Sequence, residues 1–158
     1  LIGEHQSRAQ TKLAQSVRDR EVGLRLERLL EAEQPYRSDQ PSRLTGGPKQ
    51  LRVACGQGAC SARLETDRLV TVDVAGKERV TRLPDGADPA FWYVTSTGVS
   101  DAWPPPLAVG ASWRVLEAIV VKARGETGRP LAVARIWRQQ RFDCQFDPVI
   151  EDCRGGGS

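Results

Sequence analysis

Along residues 15–33, QSVRDREVGLRLERLLEAE, apolar positions recur at helical spacing, but on two sides. At about 100° per residue, Ile2, Ala9, Leu13, Val17 and Leu24 fall within about 80° of one another. Val22, Leu26, Leu29 and Leu30 form a second stripe, centred roughly opposite the first. The pattern predicts one helix over residues 1–34, with Pro35 supporting its stop. A surface helix needs one apolar stripe to reach its own core. Two stripes, one early and one late, imply two neighbours. The late stripe is expected against the body of the domain, and Ile2, Ala9, Leu13 and Val17 against a partner. Val17 and Leu24 lie near the crossover.

After the helix the periodicity changes. Residues 35–50, PYRSDQPSRLTGGPKQ, hold three prolines and two glycines and read as a loop. RLVTVDV (68–74) and ERVTRL (78–83) flank AGK and predict a hairpin. FWYVT (91–95) is a further β-rich run, and WPPP (103–106) interrupts the pattern after it. The last hairpin joins WRVLEAIVVKA (113–123) to PLAVARIWRQQRF (130–142) through RGETGR. In its second arm Ala132, Ala134 and Ile136 alternate with Val133, Arg135 and Trp137. The expected architecture is α+β: a long N-terminal helix over residues 1–34, packed on an antiparallel sheet of about four to five strands. A β-rich head then spans 35–154. The closing 155–158, GGGS, reads as a linker without functional weight.

Composition narrows the function. With 39% apolar and 27% charged residues, the 158-residue chain is a folded domain rather than a disordered one. Its net charge is +3, from 23 basic and 20 acidic residues interleaved along the chain. That leaves no concentrated basic stripe for nucleic acid. The longest apolar run, VLEAIVV (115–121), is strand-sized, far short of the roughly 18 residues of a membrane helix. The chain opens on Leu1 and contains no methionine, so a targeting or anchoring segment is expected upstream.

The four cysteines fall into two local pairs, Cys55/Cys60 in CGQGAC and Cys144/Cys153 in CQFDPVIEDC. Zinc and free thiols are the rival readings, but structural zinc sites place cysteines two to four residues apart in both halves. The second pair is too widely spaced for that, and the sole histidine, His5, is far away on the helix. Disulfides Cys55–Cys60 and Cys144–Cys153 are therefore expected, and with them an oxidising, extracytoplasmic compartment. No catalytic constellation can be assembled. The only histidine, His5, sits near the helix start, where a Ser-His-Asp or Cys-His arrangement is hard to build. Glu31/Glu33 and Glu151/Asp152 read as solvated carboxylates. GQGACS lacks the length and the lysine of a phosphate loop. Trp92, Tyr93, Trp103, Trp113 and Trp137 could form an aromatic surface but read first as sheet core. No enzyme activity, cofactor or metal is expected.

A two-sided helix followed by a β-rich head resembles the type IV pilins, in particular minor pilins of the PilX type. Arg18, Asp19, Arg20, Val22, Gly23, Leu24 and Glu33 match a stretch that follows the family's membrane segment. Leu26, Glu27 and Arg28 stand where the family has small residues around an Ala-Glu-Ala core. Gly58 and Cys60 resemble the Gly-x-Cys end of the family's close cysteine pair, and the last hairpin looks like its late strands. Cys144/Cys153 is similar to the disulfide-bounded loop of pilins generally. The resemblance implies a structural subunit that primes pilus assembly and sits in the tip complex. Its implied partners are other minor pilins, a tip adhesin and the major pilin. It also implies an upstream membrane helix, periplasmic residence before assembly and a place on the cell-surface pilus afterwards. A periplasmic sensor or ligand-binding domain of a membrane receptor, and a type II secretion pseudopilin, are the alternatives.

Overall fold

The computed structural model describes residues 2–30, 35–106, 109–123, 130–136, 145–147 and 152–154. Among these residues, one helix, α1 (Ile2–Leu29), is followed by eleven strands. These are β1 (Leu44–Gly46), β2 (Gln50–Cys55), β3 (Gly58–Leu64), β4 (Arg68–Val72) and β5 (Glu78–Arg82). Then come β6 (Pro89–Thr95), β7 (Gly98–Ser100), β8 (Ala118–Ala123), β9 (Ala132–Arg135), β10 (Gln145–Asp147) and β11 (Asp152–Arg154). The fold is α+β.

The strands form two principal sheets where the sequence predicts one. The first is an antiparallel meander in the order β1-β2-β3-β4-β5; the second has the order β7-β6-β8-β9, and β10 pairs with β11 alone. The sequence reading misses β1, β2 and β3 because Thr45 and Val53 are their only β-branched residues, among many Arg, Ala, Gly, Ser and Cys. The alternation is nevertheless present. In β2, Leu51 and Val53 are buried while Gln50, Arg52 and Ala54 face solvent. Residues 35–50 are likewise not all loop, since β1 pairs with β2 through Leu44↔Val53 and Gly46↔Leu51. Arg37 adds an isolated bridge to Val115.

The predicted hairpins of the later chain are present. β4 and β5 pair from Arg68↔Arg82 to Val72↔Glu78. Their turn is held by the Asp73 carboxylate, which accepts from the Ala75 and Lys77 amides at 3.0 and 2.9 Å. The last hairpin is shorter than predicted: Val120 pairs with Val133 and Ile119 with Ala134, but its second strand ends at Arg135. In that arm Ala132 and Ala134 are buried and Val133 and Arg135 exposed. Trp137 and the connecting 124–129 lie outside the described residues.

The two sheets and the end of α1 share one apolar core. Phe91, Tyr93, Ile119 and Val121 come from the second sheet and Leu51, Val53, Leu64 and Leu69 from the first. Backbone bonds join the sheets. The Phe91 amide donates to the Pro48 carbonyl at 2.7 Å, and Gly46 and Trp103 exchange two bonds of 2.9 Å. Gly46 is required there, because a Cβ at that position would lie 2.0 Å from the Tyr93 hydroxyl oxygen. That hydroxyl instead donates to the Gly47 carbonyl at 2.9 Å.

Cys55 and Cys60 are bonded, with Cα atoms 5.8 Å apart. They lie on either side of the two-residue turn Gly56–Gln57, where Cys55 faces Gly58 and Cys60 faces Val53. The other predicted pair, Cys144–Cys153, lies outside the described side chains.

Candidate interaction surface

The helix divides its length between two environments. Val22, Leu26 and Leu30 are 1%, 0% and 2% exposed and belong to the core. Leu29, expected to be buried with them, is half-buried at the edge of that core. Leu30 is past the last helical residue, its amide shared between the Leu26 and Glu27 carbonyls at 3.1 Å. The described helix ends at Leu29, and the expected continuation to Gln34 cannot be followed past Leu30. Residues 31–34 lie outside the described residues.

Before Val22 the picture reverses. Every described side chain from Gly3 to Glu21 is exposed. Leu13 and Val17 are 69% and 61% exposed, and Ala9 is exposed on the same stripe. Ile2 lies at the start of α1, its side chain outside the described set. Leu24, which the sequence places near the crossover, falls on the outer side at 49% exposed. At about 1.5 Å per residue, residues 2–21 make a rod of roughly 30 Å. A helix in water draws most of its stability from packing an apolar face. A rod that presents Leu13 and Val17 to solvent has the character of an interaction surface.

Two residues that the sequence reading did not single out as site residues fix this rod to the head. β9 is the edge of its sheet, with outward backbone groups at Val133 and Arg135, and α1 lies along that edge. Gly23 is buried there; a Cβ on it would stand 3.1 Å from the Val133 carbonyl oxygen. One turn later, the Glu27 carboxylate accepts from the Arg135 amide at 3.2 Å. Glycine lets the helix approach and glutamate satisfies the edge, so α1 blocks an otherwise open strand. Gly23 carried a readable signal, since an isolated glycine inside a helical pattern marks a close approach. Glu27 carried none, because its partner lies 108 residues away.

The remaining candidates are scattered. His5 is exposed on the free part of α1. Trp103 is buried at 2% exposed and Tyr93 at 0%, whereas Trp113 is 48% exposed, with the Arg37 guanidinium 3.9 Å from its ring centroid. Tyr93 and Trp103 are thus core, the reading the sequence favours, while Trp137 lies outside the described residues. Among the described residues, no group of three or more His, Cys, Asp and Glu side chains gathers to hold a metal ion. No helix among them is long and apolar enough to cross a membrane.

Comparison with known proteins returns no matching family model, no similar curated protein and no similar solved structure.

Proposed function

We propose that this chain is the ectodomain of a type IV pilus minor pilin, a structural subunit that acts through protein–protein contacts. In this reading the late stripe of α1 carries the head, and the early stripe packs against neighbouring subunits. The subunit takes part in priming pilus assembly and in the tip complex, with other minor pilins, a tip adhesin and the major pilin as partners.

One observation carries the reading: apolar side chains at 22, 26 and 30 are buried while those at 13, 17 and 24 stand in solvent. A helix that served only its own domain would gain nothing from the second set. Burying a leucine or valine side chain in an interface is worth about 1.5–3 kcal/mol each. The bonded Cys55–Cys60 pair supports an extracytoplasmic setting.

The test uses the full-length protein in the organism that encodes it. Leu13→Asp should leave its level unchanged while abolishing co-purification with the other minor pilins and sharply reducing surface pili. Normal pilus numbers with a stable Leu13→Asp protein would refute the reading.

A further inference from the structure

The described residues also form a cleft of about 280 Å³ that the contacts of α1 do not use. It lies between the end of the β6–β7 hairpin and the proline run after Trp103, with Arg114 on its wall. Taking about 30 Å³ per water, it has room for roughly nine water volumes, the scale of a small organic molecule.

Its chemistry is one-sided. Among the described residues, no carboxylate lines it. Arg114 is held in place by its backbone: its amide donates to the Ser38 hydroxyl at 2.7 Å and its carbonyl accepts from the Ser38 amide at 2.8 Å. No ion pair or side-chain hydrogen bond engages its guanidinium among the described residues. Trp103 is 98% buried and lines the cleft, its indole Nε1 closed off from solvent, so it contributes wall and no donor to the cleft. Ser100 adds a hydroxyl, while Val99, Pro105 and Pro106 supply apolar wall. The Tyr93 hydroxyl is already committed to Gly47.

We propose that this cleft binds a small organic carboxylate with an apolar body, its carboxylate paired with Arg114. A guanidinium fork matches a carboxylate in two parallel bonds. With a single cation and apolar walls, the site suits a monoanion better than a phosphate ester. The carboxylate could be that of a free acid or of a peptide C-terminus. The inference is independent of the pilin reading, since it uses none of the exposed residues of α1.

Benzoate and its neutral isostere benzamide are titrated into the purified domain, followed by amide shifts in NMR and by tryptophan fluorescence. Benzoate should bind, shifting the signals of Thr97–Ser100 and Arg114, and benzamide should bind at least tenfold more weakly. Arg114→Gln should weaken benzoate at least tenfold with the rest of the amide spectrum unchanged. Arg114→Lys, which keeps the charge, covers the case in which the glutamine variant misfolds, and should weaken it less than tenfold. Acetyl-Ala-Ala-Phe with a free carboxylate, compared with its amide, distinguishes the sources. Tighter binding than benzoate assigns the site to a peptide C-terminus, and weaker binding to a free acid. No benzoate binding, equal binding of benzamide, or shifts confined to other regions would overturn the proposal.

Discussion

Leu26→Ala and Leu13→Asp perturb the two sides of α1, and the structure sets their magnitudes far apart. Leu26 is 0% exposed, flanked one turn away by the buried Val22 and Leu30, and with them ties the end of α1 to the core. Truncating it removes the central anchor and leaves a cavity, at a cost of about 2–5 kcal/mol. For a chain of this size, each kcal/mol lowers Tm by roughly 2–4 °C, so a fall of about 4–20 °C is expected. Leu13 is 69% exposed, and Asp there loses no contact with the head. Its effect should stay within about 0.5 kcal/mol, or roughly 2 °C. Thermal melts followed by circular dichroism measure both, and urea titration checks that the slope is unchanged. If Leu13→Asp melts as early as Leu26→Ala, the early stripe is core and the two-sided helix is refuted.

Gly23→Val should destabilise the domain by about 1–3 kcal/mol, because its Cβ would start 3.1 Å from the Val133 carbonyl and the branches have nowhere to go; a melt showing stabilisation would contradict the edge-on packing of α1. Replacing Cys55 and Cys60 by serine should cost about 2 kcal/mol, since the bond closes a loop with a sequence separation of only 5; a double variant as stable as the parent would contradict it. The chain has two tyrosines, Tyr36 and Tyr93, and burial raises both phenols above the ordinary tyrosine range. The folded state holds them protonated, so their contribution is fully present below pH about 10 and is lost as the unfolded chain ionises above it. Tyrosinate absorbance should therefore rise together with the loss of the circular-dichroism signal, and a rise near pH 10 in the folded protein would place a phenol in solvent.

Where period and residue type agree, sequence and structure coincide. The 22/26/30 helical stripe, the β4–β5 hairpin around Ala75–Lys77 and the alternation of Ala132 and Ala134 with Val133 are local patterns, and local patterns are legible. The first sheet was harder to read. β2 and β3 flank the CGQGAC turn, whose glycines and cysteines signal a closed loop and conceal the strands that continue from it. β1 is a three-residue strand inside a proline-rich segment, held by pairing with β2 and with Trp103. No single-chain pattern reports such tertiary support. The surface on α1 could be read because periodicity distinguishes two stripes on one helix. The cleft could not, since Ser100, Trp103 and Arg114 are joined by the return of the chain from β7 to β8 rather than by any motif.

The central claim is that the early stripe of α1 faces other pilus subunits, and a photo-crosslinker tests it most directly. Benzoylphenylalanine placed at Leu13 or Val17 of the full-length protein, in assembling cells of its own host, should capture another minor pilin or the major pilin in a covalent adduct. The same group at Arg79, exposed on the edge strand β5 of the head, is the comparison. Pilin adducts from positions 13 and 17 exceeding those from position 79 are the predicted result. An absence of pilin adducts from positions 13 and 17 in cells that assemble pili normally would contradict the account.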